Sequence, residues 1–355
     1  MPAILDYKCP NCGGNIKFDP SNQQFKCENC DSVFTSEQLK SYSDMINAAE
    51  QKSNYEFVPV SDGAVMDNMN GYICKSCGAQ LITDETSSAS SCPYCGNPVV
   101  LADRLSGINR PDCVIPFKLS KEDAKNALKN FYKGKVLLPS VFKSENRIKE
   151  IKGVYVPFWL FDSDADVNIT FEATREKKWS DSDYDYTETS YYNVLRAGTA
   201  GYENIPVDGS SNMPDEYMEG LEPYSYAGMT GFDPAFLSGF MADKYDVDAE
   251  ASFPRAKQRI ENACISSFEK TVKGFDTVRP VNSCIRTLNG KYRYALLPVW
   301  MFTTKFAGKN YTFAVNGQTG KVSGELPIDK KKLGLIFGGI TAGIALLGQI
   351  FVFLL

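Results

Sequence analysis

The sequence predicts an α+β protein with two small cysteine-built ribbons, an antiparallel-β-rich α+β body and one C-terminal transmembrane helix. Three observations carry that prediction. Eight of the 11 cysteines stand in C-x2-C pairs within the first hundred residues. The middle of the chain alternates apolar and polar residues with period two, interrupted by stretches of helical spacing. The final 23 residues, Leu333 to Leu355, carry no charge.

Each part rests on its own chemistry. Cys9 and Cys12 pair with Cys27 and Cys30 across 14 residues, and Cys74 and Cys77 pair with Cys92 and Cys95 across another 14. The second set repeats the first at an offset of 65, with Gly13/Gly78, Ile16/Leu81 and Asp19/Asp84 in register, so the unit is a duplication. Two residues between cysteines let a tight turn aim both sulfurs at one ion, and two such turns complete a tetrahedral cage. Gly13, Gly78 and Gly96 follow a second cysteine, where the backbone must turn without a Cβ clash; Asp31 takes that place in the remaining turn. The reading is two four-cysteine zinc ribbons, residues 1–35 and 63–103, holding two structural zinc ions per chain. Four thiolates also suit iron, which stays open. Disulfides are disfavoured because the expected compartment is reducing.

The absence of histidine closes Ser-His, Cys-His and His-metal chemistry. Net charge is -5, from 38 Lys plus Arg against 43 Asp plus Glu, whereas a chain that mainly grips nucleic acid is expected to carry a basic surplus. Residues 1–35 hold three Lys and four acids, and Cys74 to Cys95 spans one Lys and two acids. Neither ribbon offers a basic face, which favours a protein partner.

Residues 36–62 read as a helix, Ser36 to Glu50, and a polar linker. In the body, 104–326, Ser120 caps a helix that ends at Gly134, with Ala124, Ala127, Leu128 and Phe131 along one side. Lys121, Lys125, Lys129 and Lys133 line the other side, within a segment of ten basic and four acidic residues. That face is either an ordinary solvated one or, with Lys330, Lys331 and Lys332, a surface facing anionic lipid. Val154 to Phe161 is a dense strand, echoed by Leu297 to Phe302. Asp162, Asp164 and Asp166, and then Asp181, Asp183 and Asp185, alternate as solvated strand faces. The first triplet fails as a calcium loop, since Val167 stands where the turn glycine belongs. Gly201 to Pro223 reads as a long surface loop, Ala235 to Asp243 and Ala249 to Phe268 as helices, and Asn316-Gly317 as a hairpin turn. Cys113, Cys264 and Cys284 read as buried inert thiols.

Leu333 to Leu355 spans roughly 34 Å as a helix, enough for a hydrocarbon core of about 30 Å. The basic juxtamembrane segment 327–332 places the bulk of the chain on the cytoplasmic side of the cell membrane, in a single-pass arrangement with a C-terminal anchor. The first ten residues contain no apolar run of signal-peptide length. Gly334-x3-Gly338 and Gly339-x3-Gly343 allow self-association or pairing with another membrane helix. No G-x4-G-K-[ST] motif and no catalytic constellation is present, so the chain reads as non-enzymatic.

The strings CPNCGG, CKSCGAQL, CPYCGNPVV, VIPFKLSKEDAK, GVYVPFWLFD, YDVDAE and NGQTGK resemble a family of bacterial tandem zinc-ribbon proteins with a C-terminal membrane segment. Its members are often labelled transcription-factor-IIB-type or primosomal (replication-factor-Y-like). The resemblance implies that the eight paired cysteines are the metal ligands. It also implies work beside flotillin-like scaffolds and phage-shock-type proteins in membrane stress. The chain lacks the motif a helicase label needs. The resulting expectation is a membrane-anchored zinc-ribbon adaptor that binds a protein partner. The alternative is a zinc-ribbon nucleic-acid-binding protein linked to replication or transcription.

Overall fold

A computed structural model describes residues 9, 16–20, 24–39, 57–61, 70–83, 91–102, 109–143 and 151–354. Cys12, Gly13 and most of the expected helix and linker after Leu39 lie outside these residues. The described strands near the start of the chain are β1 (Ile16–Asp19), β2 (Gln24–Cys27), β3 (Val33–Phe34), β4 (Val58–Pro59), β5 (Asn70–Ile73), β6 (Gln80–Thr83), β7 (Val100–Ala102) and β8 (Cys113–Val114). Two long strands follow, β9 (Lys152–Ser180) and β10 (Asp185–Asp208), then β11 (Thr230–Gly231), β12 (Met241–Asp243), β13 (Thr277–Phe306), β14 (Lys309–Asn316) and β15 (Val322–Gly324). The helices are α1 (Lys121–Tyr132), α2 (Asp215–Gly220), α3 (Ala249–Glu269) and α4 (Lys330–Leu354). The protein is α+β with a sheet-rich body, as the alternation predicts.

Two compact units divide the chain otherwise than in consecutive blocks. The first comprises Met1–Val60, Leu160–Val207 and Glu250–Tyr292; the second comprises Ser61–Trp159, Asp208–Ala249 and Arg293–Leu355. One cysteine module belongs to each.

In the first unit, β10 folds back on β9, and β4 lies parallel to the Lys291–Tyr292 end of β13's share of this unit. Side chains pair β9 with β13: Asp166 with Arg286, Glu172 with Arg279, and Thr174 with Thr277. Partner numbers fall as β9 advances, so the two strands run antiparallel. On β9, Ala165, Val167, Ile169, Phe171 and Ala173 are buried, while the alternate Asp162, Asp164 and Asp166 are more exposed. The expected half-solvated face is therefore present. Helix α3 buries Ser252, Ala256, Ile260 and Cys264 at four-residue spacing. Pro254 sits inside it on the exposed side. The Asp181 to Asp185 run is not strand throughout. Asp181 accepts the N–H groups of Asp183 (2.9 Å) and Tyr184 (2.8 Å) and makes the turn joining β9 to β10. A short acidic side chain closing its own turn outweighs the period-two pattern there.

In the second unit, the sheet order runs β11, β8, β13, β9, β12, β6, β5, β7, with β14 against β13 and β15 against β14. Ser120 and Asp123 form a reciprocal capping box on α1. Ala124, Leu128 and Tyr132, one turn apart, pack with Leu138, Phe142, Trp300, Phe302 and Phe313 in one core. The echoed segments sit in β9 and β13, which are neighbours in the sheet, and Val156 and Phe158 to Phe161 are buried like Leu297 and Val299 to Phe302. Their tryptophans are held alike: Trp159 donates to the Val247 carbonyl at 2.8 Å and Trp300 to the Leu119 carbonyl at 3.2 Å. Asn316-Gly317 opens the last turn as expected, with the Gly320 N–H on the Asn316 carbonyl at 3.0 Å.

Two further expectations are corrected. Ala235 to Asp243 is not a helix: Pro234–Leu237 is a single 3-10 turn and Met241–Asp243 is a strand. That strand lies between β9 and β6, and pairing on both edges overrides three residues of local preference. Gly201 to Pro223 is not a long loop. Strand β10 continues to Asp208, α2 follows, and Val207, Met213, Met218 and Leu221 are buried. Acidic and glycine-rich composition hid four well-spaced apolar anchors.

Candidate metal centres

Three of the four C-x2-C turns share one hydrogen-bond pattern. The N–H of the first cysteine donates to the carbonyl five residues on: Cys27 to Ser32 (2.9 Å), Cys74 to Ala79 (2.9 Å) and Cys92 to Asn97 (2.8 Å). The residue after the second cysteine donates back to the first: Asp31 to Cys27 (3.1 Å), Gly78 to Cys74 (2.8 Å) and Gly96 to Cys92 (3.0 Å). Closing that loop needs a left-handed residue, and φ is 56° at Asp31, 82° at Gly78 and 75° at Gly96. A Cβ on Gly78 or Gly96 would meet nothing within 4 Å, so backbone conformation alone selects glycine there.

These turns gather the sulfurs. In the second module one sulfur each from Cys74, Cys77, Cys92 and Cys95 lies within 4.8 Å of the other three. Cys74 and Cys95 stand 3.5 Å apart, and Cys77 and Cys92 stand 3.6 Å apart. A tetrahedron of sulfurs about 2.3 Å from one ion has edges of roughly 3.8 Å. In the first module Cys9, Cys27 and Cys30 converge likewise, with Cys9 and Cys30 at 3.6 Å. The fourth expected ligand, Cys12, lies outside the described residues. None of the described ligand cysteines is in a disulfide. Both described donor sets suit a metal that accepts thiolates, and the four sulfurs of the second would leave it no open position.

The thiols of the second cage differ in acidity. Burial would raise the Cys74 thiol, but backbone N–H groups of Cys77 and Ser76 bring it down to about 7. Burial pushes Cys77 up to about 11 and Cys92 up as well. A cation entering the cage displaces the remaining protons, so binding weakens in acid. Asn97 spans the two turns, donating to Ser76 Oγ at 2.8 Å and to the Cys95 sulfur at 3.5 Å.

The surroundings of this cage were not legible in the sequence. Tyr94, between Cys92 and Cys95, is buried and donates its hydroxyl to Asp243 Oδ2 at 2.6 Å. Ser210 (2.5 Å) and Asn212 (3.2 Å) donate to the same carboxylate. Burial raises Asp243 to about 6 despite these donors. The Tyr94 carbonyl accepts from Thr303 (3.0 Å) and Thr312 (3.2 Å), and Lys152 donates to the Ser91 carbonyl at 3.0 Å. A tyrosine between paired cysteines is the one signal that could have pointed here. The carboxylate it meets is 149 residues away along the chain.

The other candidate residues are dispersed. Lys121 and Lys129 are exposed on α1 and Lys133 just past its end, while Lys125 is largely covered and pairs with Glu122. Lys330 and Lys331 are exposed and Lys332 is half-buried at the start of α4. That helix is long and apolar enough to cross a membrane, with mean hydropathy 1.4 over Lys330–Gln349 and none of that window buried. Cys113 and Cys264 are buried and Cys284 is half-buried. An open cleft of about 1010 Å³ in the first unit is lined by Asp162, Asp164, Glu203 and Lys291 among others. Two of its carboxylates are engaged: Asp162 accepts from the Asn204 N–H at 2.7 Å and Asp164 from Asn289 at 2.9 Å.

The chain is similar to an uncharacterized protein, YdjG, of Bacillus subtilis (strain 168). They are 38% identical over 343 residues, covering 96% of this chain and 95% of that one. No family model and no solved structure matches the chain.

Proposed function

The chain belongs to the YdjG family, and from that premise we propose that it is a membrane-anchored, non-enzymatic zinc-ribbon adaptor. Its two four-cysteine sites hold structural zinc, its ribbons dock a protein partner, and α4 anchors the chain with its bulk on the cytoplasmic side. The observation that carries the reading is the second sulfur cage. It is closed and stapled to the body, and it belongs to the same compact unit as the exposed apolar helix. A closed thiolate cage builds a surface rather than a reaction centre.

Support for the anchor comes from α4 itself. Leu335 (77% exposed), Phe337 (71%) and Leu347 (69%) project from a helix that nothing in the described chain covers, which water tolerates poorly. Thr341 donates to the Phe337 carbonyl at 2.8 Å, satisfying its hydroxyl as a lipid environment requires. The Gly334, Gly338, Gly339 and Gly343 positions are open, leaving a smooth side for a second helix. In this reading the partner is one of the flotillin-like or phage-shock-type proteins that the sequence resemblance implies.

The test is purification of the full-length chain from its membrane with mild detergent, beside the Cys27→Ser/Cys30→Ser variant. Two zinc ions per wild-type chain and a protein partner lost in the variant are expected. Nucleic acid that is released by nuclease or high salt, in place of a protein, would overturn the adaptor reading in favour of the replication or transcription one.

A further inference from the structure

The foot of α4 is tied to one place on the second unit. Asp329 caps the helix, accepting the N–H groups of Lys331 at 3.0 Å and Lys332 at 3.2 Å. The Asp329 N–H donates to the Leu137 carbonyl at 2.8 Å, and the Lys332 ammonium donates to the Leu138 carbonyl at 2.8 Å. Leu138 is itself buried in the core beneath α1. The segment that leaves α1 is therefore one hydrogen bond from the residues that precede the apolar run.

That segment is compact. The Lys135 N–H reaches the Tyr132 carbonyl at 3.2 Å, and the Leu138 N–H reaches the Lys135 carbonyl at 3.3 Å. Its outer side carries Lys133, Lys135 and Val136, the last 66% exposed. On the approach to α4, Ile328 is 56% exposed beside Lys330 and Lys331. Ammonium groups next to exposed aliphatic side chains suit a surface that meets lipid phosphates and the acyl boundary beneath them. The lysine face of α1 is placed less well. Lys125 is paired and covered, and Lys121 begins a 12-residue helix, roughly 18 Å from its far end.

We propose that Lys133, Lys135 and Val136, together with Ile328, Lys330 and Lys331, form a footprint that binds the surface of a bilayer containing anionic phospholipid. The footprint rests on the reading of α4 as a membrane span, and it assigns lipid contact to the loop after α1 rather than to the helix face.

Full-length protein reconstituted into phosphatidylcholine nanodiscs, with and without phosphatidylglycerol, tests it. A short pulse of a water-soluble amine-acylating reagent is read lysine by lysine by mass spectrometry. Lys133 and Lys135 are expected to react about fivefold more slowly in the anionic discs, the factor for roughly 1 kcal/mol per lysine near such a surface. Lys121 should change little. Lys133→Gln/Lys135→Gln should stay in the discs and retain less phosphatidylglycerol through detergent washing. Equal labelling of Lys133 and Lys135 in both discs overturns the footprint while co-elution with lipid leaves the span intact. Shielding of Lys330 and Lys331 alone, or of Lys121 instead, overturns it too. A chain that elutes apart from the discs overturns the span and the footprint together.

Discussion

The two cysteine modules share spacing, turn geometry and a hydrogen-bond pattern, yet they are embedded differently. Among the described residues, the first pairs only its own strands: β1, β2 and β3 form a separate three-stranded sheet, and Phe18 (47%) and Val33 (44%) are exposed on it. In the second, β6 pairs with β12 through Leu81 and Ile82, and so joins the sheet of the body. Tyr94 then drives into a buried carboxylate, and Thr303 and Thr312 hold its carbonyl. Duplicated chemistry has thus been put to two uses. One module keeps an exposed apolar surface, and the other is a structural member of its unit.

Removing metal ligands from each module should separate those uses most sharply. Cys74→Ser/Cys77→Ser is expected to lose one metal ion per chain and to unfold the second unit, because structural zinc contributes on the order of 10 kcal/mol to small domains. Cys27→Ser/Cys30→Ser is expected to lose one ion as well, yet leave the body's thermal transition in place. Metal analysis with calorimetry checks both, and equal loss of the body transition in the two variants would erase the contrast.

Asp243 supplies the next effect. Its folded value, about 6, lies above the ordinary 3.9. The folded state therefore holds its proton more tightly, and the stability from this group is fully present below about pH 4. It is lost as pH rises to about 6, by on the order of 3 kcal/mol. Acid also strips metal, so the useful quantity is the difference between wild type and Asp243→Asn, which share the cages. Denaturant melts should show that difference changing between pH 4 and 6 and flat above it; a constant difference would refute the assignment. Tyr94→Phe removes one buried donor and should cost about 1–3 kcal/mol in the second unit, with metal content unchanged.

The smallest effects test the turn itself. Gly78→Ala and Gly96→Ala, each forced into the left-handed region, should destabilise the second module by about 1 kcal/mol. Asp31→Gly should stabilise the first by a few tenths at most, since the lost Asp31–Lys26 pair (2.8 Å) is exposed. Proteolysis rates of the two modules would resolve these changes, and a destabilising Asp31→Gly would show that the ion pair matters more than the backbone.

Legibility followed the reach of each interaction. Ser120 and Asp123 cap α1 within three residues of one another, and the cysteine turns close within five, so both could be read directly. The paired aromatic segments of β9 and β13 were visible because buried strands carry continuous apolar runs. Met241–Asp243 carried no such mark, since its strand character comes from β6 and β9 on either side. The acidic stretch through Asp208 misled for a related reason: its anchors, Val207, Met213, Met218 and Leu221, are too sparse to show a period.

The sequence alone determined which side chains can gather a soft cation, where α1 begins and ends, and that one C-terminal segment is long and apolar enough to cross a membrane. Those are properties of spacing and composition over a few residues. Tertiary structure alone decided which module joined the body, which carboxylate meets Tyr94, and where the foot of α4 is tied. Each of those depends on partners about 150 to 200 residues apart, such as Leu81 with Asp243 and Leu138 with Lys332. At that separation, strand pairing and burial choose the contact, and local preference carries little information about it.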